Sequence, residues 1–325
     1  MECSVYDTEL NRIGVIDSFV SLLWEESYND IGFFQLELAQ TSDNMKLFKT
    51  DLYVGKRGSD TLMVVKLVQI TDGKVLVTGN SAEWVLSERV STAVISNQNA
   101  ETALRTLVDD MKPWPGVALG ELSGVADKFT AQFSDASVLE YCQKIGQAVD
   151  MGFRMRHDRK QKKLFFECYK PLENTDIKFS TAFGNMTQLD FSESTENYKN
   201  VAVVAGAGEG AARVTVFAGK TDATGVDRRE LYVDARNEQP EENETDADYK
   251  ARLVRFGEAA LVDYLKIQNI QFVLDDPRAK LGDVVFCSIP EFGFKVRVRI
   301  VGVTETTADN KTTREATLGE PIKIK

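Results

Sequence analysis

Between Ser18 and Ala39 the apolar residues fall at every second position. Val20, Leu22 and Trp24 share one face of SFVSLLWEESY, and Phe34, Leu36 and Leu38 share one face of FFQLELA, with Gln35 and Glu37 opposite. Period two predicts half-buried strands, because successive side chains leave a pleated backbone on opposite faces. Asn29, Asp30 and Gly32 between the two runs are turn chemistry. DLYVGK, LMVVKLVQI and KVLVTGN read the same way, the last two joined by Asp72-Gly73, a strong hairpin signal. Short strands at close spacing predict a barrel or sandwich.

Near residue 97 the period changes. Asn99 caps a predicted helix with Ala103, Leu104, Leu107, Val108 and Met111 on one face, and Pro113 and Pro115 stop it. DASVLEYCQKIGQAVD fits a second helix, with Asp135 near the cap and a stripe of Val138, Leu139, Cys142, Ile145 and Val149. GFRMRHD and KLFFECY then alternate as a hairpin.

Strand character resumes after about residue 185. VAVVAGAGEG, residues 201–210, resembles the start of a phosphate-binding loop, but its glycines are spaced G-x-G-x-G and a strand-like run, ARVTVFAG, follows. A dinucleotide loop needs G-x-G-x-x-G and a helix N-terminus to hold the pyrophosphate. Strand, glycine-rich turn, strand is a hairpin. After RRELYVDAR comes the acidic segment RNEQPEENETDAD, a solvated loop without the calcium-loop pattern. Thr245 with Asp248 resembles a capping box for a helix at about 246–266, with Tyr249, Leu253, Phe256, Ala260 and Tyr264 on one face. IQFVLD, DVVFC and FKVRVRIVGVT close the pattern, the last with Lys295, Arg297 and Arg299 opposite Val296, Val298 and Ile300. Three cations on one strand face read as a solvated or edge-protecting surface.

The expected fold is α+β and mainly β. Two small β-barrel-like domains, 1–95 and 186–325, flank an α+β insert, 96–185, and the second carries the helix at 246–266. Residues 50–79 and 281–319 echo each other: an Asp before a short apolar strand, a long strand ending in Thr, a polar turn (Asp72-Gly73; Asp309-Asn310), and a strand with Thr near its end. If the echo is structural, one chain holds two related β-domains.

Composition narrows the chemistry. Hydrophobic content of 43% supports a sizeable core. A net charge of -11 argues against specific or non-specific nucleic-acid binding, which needs a basic stripe to displace counterions. There is no 18-residue apolar run to span a membrane, and MECSVYDTELNR shows no secretory h-region. Cys3, Cys142, Cys168 and Cys287 are far apart and suggest no disulfide framework. The single histidine, His157, excludes His-rich metal sites, and RMRHDRKQKK around it reads as a solvated hairpin tip. No metal, cofactor or catalytic residue is expected.

At this point the chain resembles the tail-hub proteins of long-tailed bacteriophages, the siphovirus branch related to contractile-tail hubs. The resemblance rests on Trp24, Tyr28, Gly32, Phe34 and Leu36 in the first hairpin, on NVAVVAGAGEGAAR at 200–213, and above all on GVDRRELYVDAR at 225–236. It implies a homotrimer whose two similar barrels per subunit make a ring of approximate sixfold symmetry. Such a ring docks on a tail tube or distal tail protein, receives a tail fibre, spike or tape-measure end on its threefold side, and lets DNA pass. The implied location is the virion tail, made in the host bacterial cytoplasm, with a phage, a prophage remnant and a tail-derived bacteriocin all open as the parent particle. Some relatives carry peptidase or lysozyme modules beyond the second β-domain. This chain stops at KIK, so a hydrolase function is not carried over.

Two other readings stay open. A hydrolase would use paired carboxylates, yet Asp109-Asp110, Asp275-Asp276 and Glu25-Glu26 are sequence neighbours, which do not face each other in a strand or a helix. A receptor- or carbohydrate-binding module would use an exposed aromatic ring. Trp24 and Trp84 read as structural, which leaves Trp114 in KPWPG, itself read as a packed loop anchor. Arg228, Arg229, Asp234 and Arg236 are the interface candidates, weighed against ion pairs flanking a strand whose Leu231 and Val233 are buried.

Overall fold

The computed structural model describes residues 2–111, 114, 116–132, 136–241, 244–264, 266–273, 276–309 and 311–322. Seven strands come first: β1 (Cys3–Tyr6), β2 (Arg12–Ile16), β3 (Ser21–Ser27), β4 (Phe33–Ala39), β5 (Tyr53–Lys56), β6 (Leu62–Thr71) and β7 (Lys74–Ser81). They pair antiparallel in the order β2-β1-β5-β6-β7-β4-β3. Asp72 and Gly73 turn β6 into β7 with φ of 49° and 79°, the two positive angles that Asp-Gly supplies. Gly79 allows a close approach in this sheet, since a Cβ there would lie 1.8 Å from the Val64 carbonyl oxygen. Leu22, Trp24, Phe34, Leu36, Leu38, Met63, Val75 and Val77 form the core behind these strands. Val20 is not on that face. It precedes β3 and is 47% exposed.

The predicted helices form with a change of cap. Helix α1 (Ala100–Asp110) starts at Asn99, whose side chain accepts the Thr102 N–H at 2.9 Å. Helix α2 (Val138–Val149) starts at Ser137, which forms a reciprocal capping box with Glu140. Asp135, Pro113 and Pro115 lie outside the described residues. β8 (Gly152–Asp158) and β9 (Lys163–Tyr169) pair antiparallel. The apolar faces of these elements share a core with Tyr6, Tyr53 and Leu62 from the N-terminal strands. His157 corrects the sequence reading. It lies on the inner face of β8 with Phe153 and Met155 and is buried.

The chain divides into two compact units, Met1–Leu189 with Gln271–Lys325, and Asp190–Ile270. In the second, β10 (Val201–Ala205) is the centre of a three-stranded sheet. β11 (Thr215–Gly219) flanks it antiparallel and β12 (Glu230–Asp234) flanks it parallel. The glycine-rich stretch is therefore a hairpin connection, with positive φ at Gly208 and Gly210. Helix α3 (Asp246–Leu261) covers one face through Tyr249, Leu253, Gly257 and Leu261. Phe256 is 40% exposed and does not belong to that stripe, and a 3-10 turn, Val262–Tyr264, replaces the expected last helical turn. The Asp248 N–H donates to the Thr245 hydroxyl at 3.2 Å.

The returning chain adds β13 (Val284–Ile289), β14 (Phe294–Ala308) and β15 (Lys311–Ile322) to the first unit as an antiparallel meander. β14 pairs antiparallel with β3, so the β3–β4 hairpin lies between β7 and β14. Following the alternation across these pairings, β5 runs in the same sense as β13, β6 as β14 and β7 as β15. The molecule is mainly β with few helices.

Candidate functional site: an open sheet face and a charged cleft

The interface candidates surround β12. Asp234 accepts from Arg213 at 2.6 Å and is gripped from the other side by Arg236, also at 2.6 Å. The hydrogen bonds from Arg236, joined by those from Arg213, hold its carboxyl down at about 2. Arg228 donates to Glu230 at 2.6 Å and to the Thr221 carbonyl at 3.0 Å, with its guanidinium 5.6 Å from the centroid of the Phe217 ring. The Arg229 backbone N–H donates to the Asn200 side chain at 2.8 Å, and its guanidinium reaches the Thr195 carbonyl at 3.2 Å. Val233 and Leu231 pack towards α3. The ion pairs of the plainer reading are therefore present, and Arg236 remains 67% exposed.

Register adds residues that sequence reasoning missed. Val203 pairs with Phe217 on one side and Tyr232 on the other, so the three side chains form a row on the face away from α3. Phe217 is 50% exposed and Tyr232 60%. Arg213 spans the sheet, bonding the Ala205 and Gly206 carbonyls, the Tyr232 hydroxyl and Asp234. The outward phase of Phe217 was readable from Val216 and Ala218 beside it. The contact between Arg213 and Asp234 was not, because it depends on strand order.

In the first unit a cleft of about 440 Å³ is lined by Glu26, Lys56, Asp60, Glu83, Arg154 and Glu305 among others. Several of its charges are engaged. Lys56 is buried, pairs with Glu305 and lies over the Trp24 ring at 5.3 Å. Glu26 accepts the Trp24 indole N–H at 3.0 Å. Glu83 is buried, accepts the Met155 N–H at 2.7 Å, and has its pKa raised by that burial. A carboxyl held towards its neutral form is the raw material of an acid catalyst, but this one anchors β8.

The other sequence candidates fall into structural roles. The Trp114 indole N–H donates to the Tyr53 hydroxyl at 3.1 Å, its ring meets Trp84 edge-on, and Arg89 stands 4.9 Å from its centroid. Asp109 and Asp110 are exposed at the end of α1. Asp276 is held by Arg278 at 2.6 Å, and Asp275 lies outside the described residues. On β14, Arg297 meets Glu173 at 3.1 Å, Arg299 meets Asp150, and Lys295 stands 5.6 Å from the Phe286 ring centroid. The four cysteines are free and buried. Among the described residues no cluster of three metal-ligating side chains occurs, and no helix is long and apolar enough to cross a membrane.

The fold is similar to the tail protein from Neisseria meningitidis MC58, with a TM-score of 0.65 at 13% identity over 98% of this chain and 96% of that one. It is similar to the prophage MuSo2 43 kDa tail protein from Shewanella oneidensis, with a TM-score of 0.65 at 9% identity over 98% and 97%. Prophage tail protein gp18 from Listeria monocytogenes EGD-e gives a TM-score of 0.60 at 15% identity over 100% and 96%. At these identities the likeness is one of fold. No curated protein matches the sequence. The family described as Siphovirus ReqiPepy6 Gp37-like protein matches residues 2–320, and the chain belongs to it. It is a siphovirus-type tail or baseplate protein, a component of the virion tail.

Proposed function

We propose that the chain is a structural tail hub, not an enzyme. Three copies close a ring of approximate sixfold character that joins the tail tube or distal tail protein to a fibre, spike or tape-measure end and lets DNA pass. The observation that supports this reading is the repeated meander. β5–β6–β7 and β13–β14–β15 have the same connectivity, and their counterparts run in the same sense. A threefold ring that must meet a sixfold partner needs two such modules per chain, related by rotation about an axis along the strands. Domains 1–95 and 186–325 would supply the barrels and 96–185 the insert between them. The net charge of -11 suits a channel that DNA must cross without sticking. Arg228, Arg229, Asp234 and Arg236 are assigned to subunit contacts, where arginine is enriched.

The test is light scattering on a sizing column over a range of concentrations. A mass near three times the 36.3 kDa of one chain is expected. A strict monomer with no affinity for a distal tail protein would sink the reading. The carbohydrate-binding alternative is disfavoured by Trp114, whose N–H is already bonded and whose ring is covered by Arg89.

A further inference from the structure

The long sheet holds two matching blocks of strands. In one, β3 and β4 lie beside β7, followed by β6 and β5. In the other, strands Thr187–Glu193 and Ile267–Val273 lie beside β15, followed by β14 and β13. β4 pairs antiparallel with β7, and Ile267–Val273 pairs antiparallel with β15. The Ser194 N–H donates to the Lys266 carbonyl at 2.7 Å, so the end of Thr187–Glu193 meets the start of Ile267–Val273, as the end of β3 meets the start of β4. When the pair Thr71 and Lys74 is laid on Ala308 and Lys311, Phe34 falls on Phe272, and both rings are buried.

One contact breaks the match. β14 changes its outer neighbour along its length: residues 294–299 pair with β13, and residues 302–308 pair with β3. Register shifts mark the change. β6 begins in the same way. Residues 62–64 pair with β5, and a register shift follows between Val65 and Leu67. Beyond it, among the described residues, the outer side of 67–71 has no ladder partner. Open edges are commonly blunted by charge or proline, because unpaired N–H and C=O groups recruit another strand. Leu67, Val68, Gln69, Ile70 and Thr71 carry neither, and Leu67 and Ile70 are 47% and 50% exposed. At the far end of the sheet, Thr187–Glu193 is also an edge.

We propose that this open stretch of β6 receives strand Thr187–Glu193 of the next copy, as β14 receives β3 within one chain. The inference rests on the ring reading above and names its joint. Strand sense agrees. β6 runs as β14 and Thr187–Glu193 runs as β3, so rotation about an axis along the strands makes the new pairing antiparallel, like its internal counterpart. Register agrees as well. Leu67 takes the place of Thr304, which faces Glu25. Counted back from Ser194 and Lys266, Leu189 takes the place of Glu25. Leu67 therefore faces Leu189 of the partner subunit, and two apolar side chains meet across the strands. The joining residues, 67–71 and 187–189, all belong to the first unit. Eight strands of each copy, from β6 to Thr187–Glu193, enter the ring, and three copies make 24. Barrels of about 16–18 strands already enclose an aqueous channel, so this joint leaves room for DNA. It is head-to-tail, the type of contact that closes into a ring.

The experiment uses the full chain with Leu67→Cys and Leu189→Cys combined. Within one chain these positions lie on the first and last of the eight strands, roughly 33 Å apart along the sheet, far beyond the roughly 7 Å limit for a disulfide. Across the joint their Cα atoms would be about 4.5–5.5 Å apart. The native cysteines are buried and will not compete readily. After mild oxidation, a non-reducing gel should show chains linked up to the trimer, and each single variant should run as one chain. Gln69→Cys with Thr187→Cys, the facing pair two residues along and exposed at both positions, must give the same linked trimer even if the first double variant folds poorly. Light scattering on the native chain and the variants separates the failures. A trimer that neither pair cross-links overturns the joint and leaves the ring standing. A monomer overturns both. Disulfide dimers from Leu67→Cys alone would indicate a twofold pairing of β6 edges and overturn the head-to-tail joint.

Discussion

The ring of His157 lies edge-on to the ring of Tyr6, with centroids 5.0 Å apart. This contact ties β8 to β1, and the His157 backbone N–H donates to the Asp60 carbonyl at 2.7 Å. The imidazole Nε2 is buried without a hydrogen-bond partner. Burial, with Arg159 nearby acting in the same direction, lowers its pKa from 6.5 to about 4. The folded chain thus resists a proton that the unfolded chain accepts. The neutral ring contributes stability that is fully present above pH 6.5 and is lost as pH falls towards 4. At full development the loss is on the order of 3 kcal/mol. Urea midpoints measured across that interval should fall in the native protein, and His157→Leu should remove this segment of the slope.

Glu83 gives a slope of the opposite sign. Its pKa is raised from the ordinary 4.5, chiefly by burial, so the folded chain holds the proton more tightly than the unfolded one. Stability then declines as pH rises from 4.5 towards the folded value. Glu83→Gln keeps an acceptor for the Met155 N–H and removes the ionisation. It should be more stable than the native protein at pH 7. Glu83→Ala leaves that buried N–H unpaired and should cost about 1–3 kcal/mol. Equal stability of the Gln variant and the native chain at pH 7 would show that folding does not raise the pKa of this carboxyl.

Glu101 carries a different load. It is 1% exposed, and its carboxylate accepts the N–H groups of Ser123, Gly124 and Val125 at 2.7, 3.0 and 3.2 Å. One side chain in the first turn of α1 thereby fixes the loop that leads to the strand Lys128–Gln132. Glu101→Ala strands three donors and should cost roughly 2–4 kcal/mol, with Glu101→Gln in between. Hydrogen exchange at the three amides is the direct measurement. Unchanged protection in the alanine variant would mean that water replaces the carboxylate without loss.

Much of this architecture was legible because it is local. Asp72-Gly73 announced its hairpin, Asn99 its helix, and the spacing of Gly206, Gly208 and Gly210 excluded a phosphate loop. The charged neighbours Arg154, Arg156 and Asp158 give His157 the local look of a solvated tip, although Phe153, Met155 and His157 alternate with them and face inwards. Asp135 and Ser137 are both good helix caps by residue type, so composition alone does not choose between them. For the candidate surface, Arg228, Arg229, Asp234 and Arg236 were visible as a cluster along one strand. Arg213, Phe217 and Tyr232 gain their meaning only from the order β11-β10-β12, which includes a parallel pairing that no local signal specifies.

Helix α3 shows the same limit, and it yields a test. The stripe expected to face the sheet included Phe256, but the closest approach is at Gly257. A Cβ there would lie 2.5 Å from Val204 Cγ2, 2.9 Å from Ala218 Cβ and 3.2 Å from Ala202 Cβ. Alanine is the better helix former by about 1 kcal/mol, so propensity alone predicts that Gly257→Ala stabilises the unit. Forcing a methyl group into a packed contact costs about 1–3 kcal/mol. The neighbouring atoms are a valine branch and two alanine Cβ atoms on the central and flanking strands, with little freedom to retreat. The packing term should therefore win, and Gly257→Ala should lower stability by about 1 kcal/mol net. Thermal or urea unfolding of the full chain, followed by a probe within residues 190–270, measures it. A stabilised variant would mean that α3 can lift from the sheet without penalty, and the close helix-to-sheet packing described here would have to be abandoned.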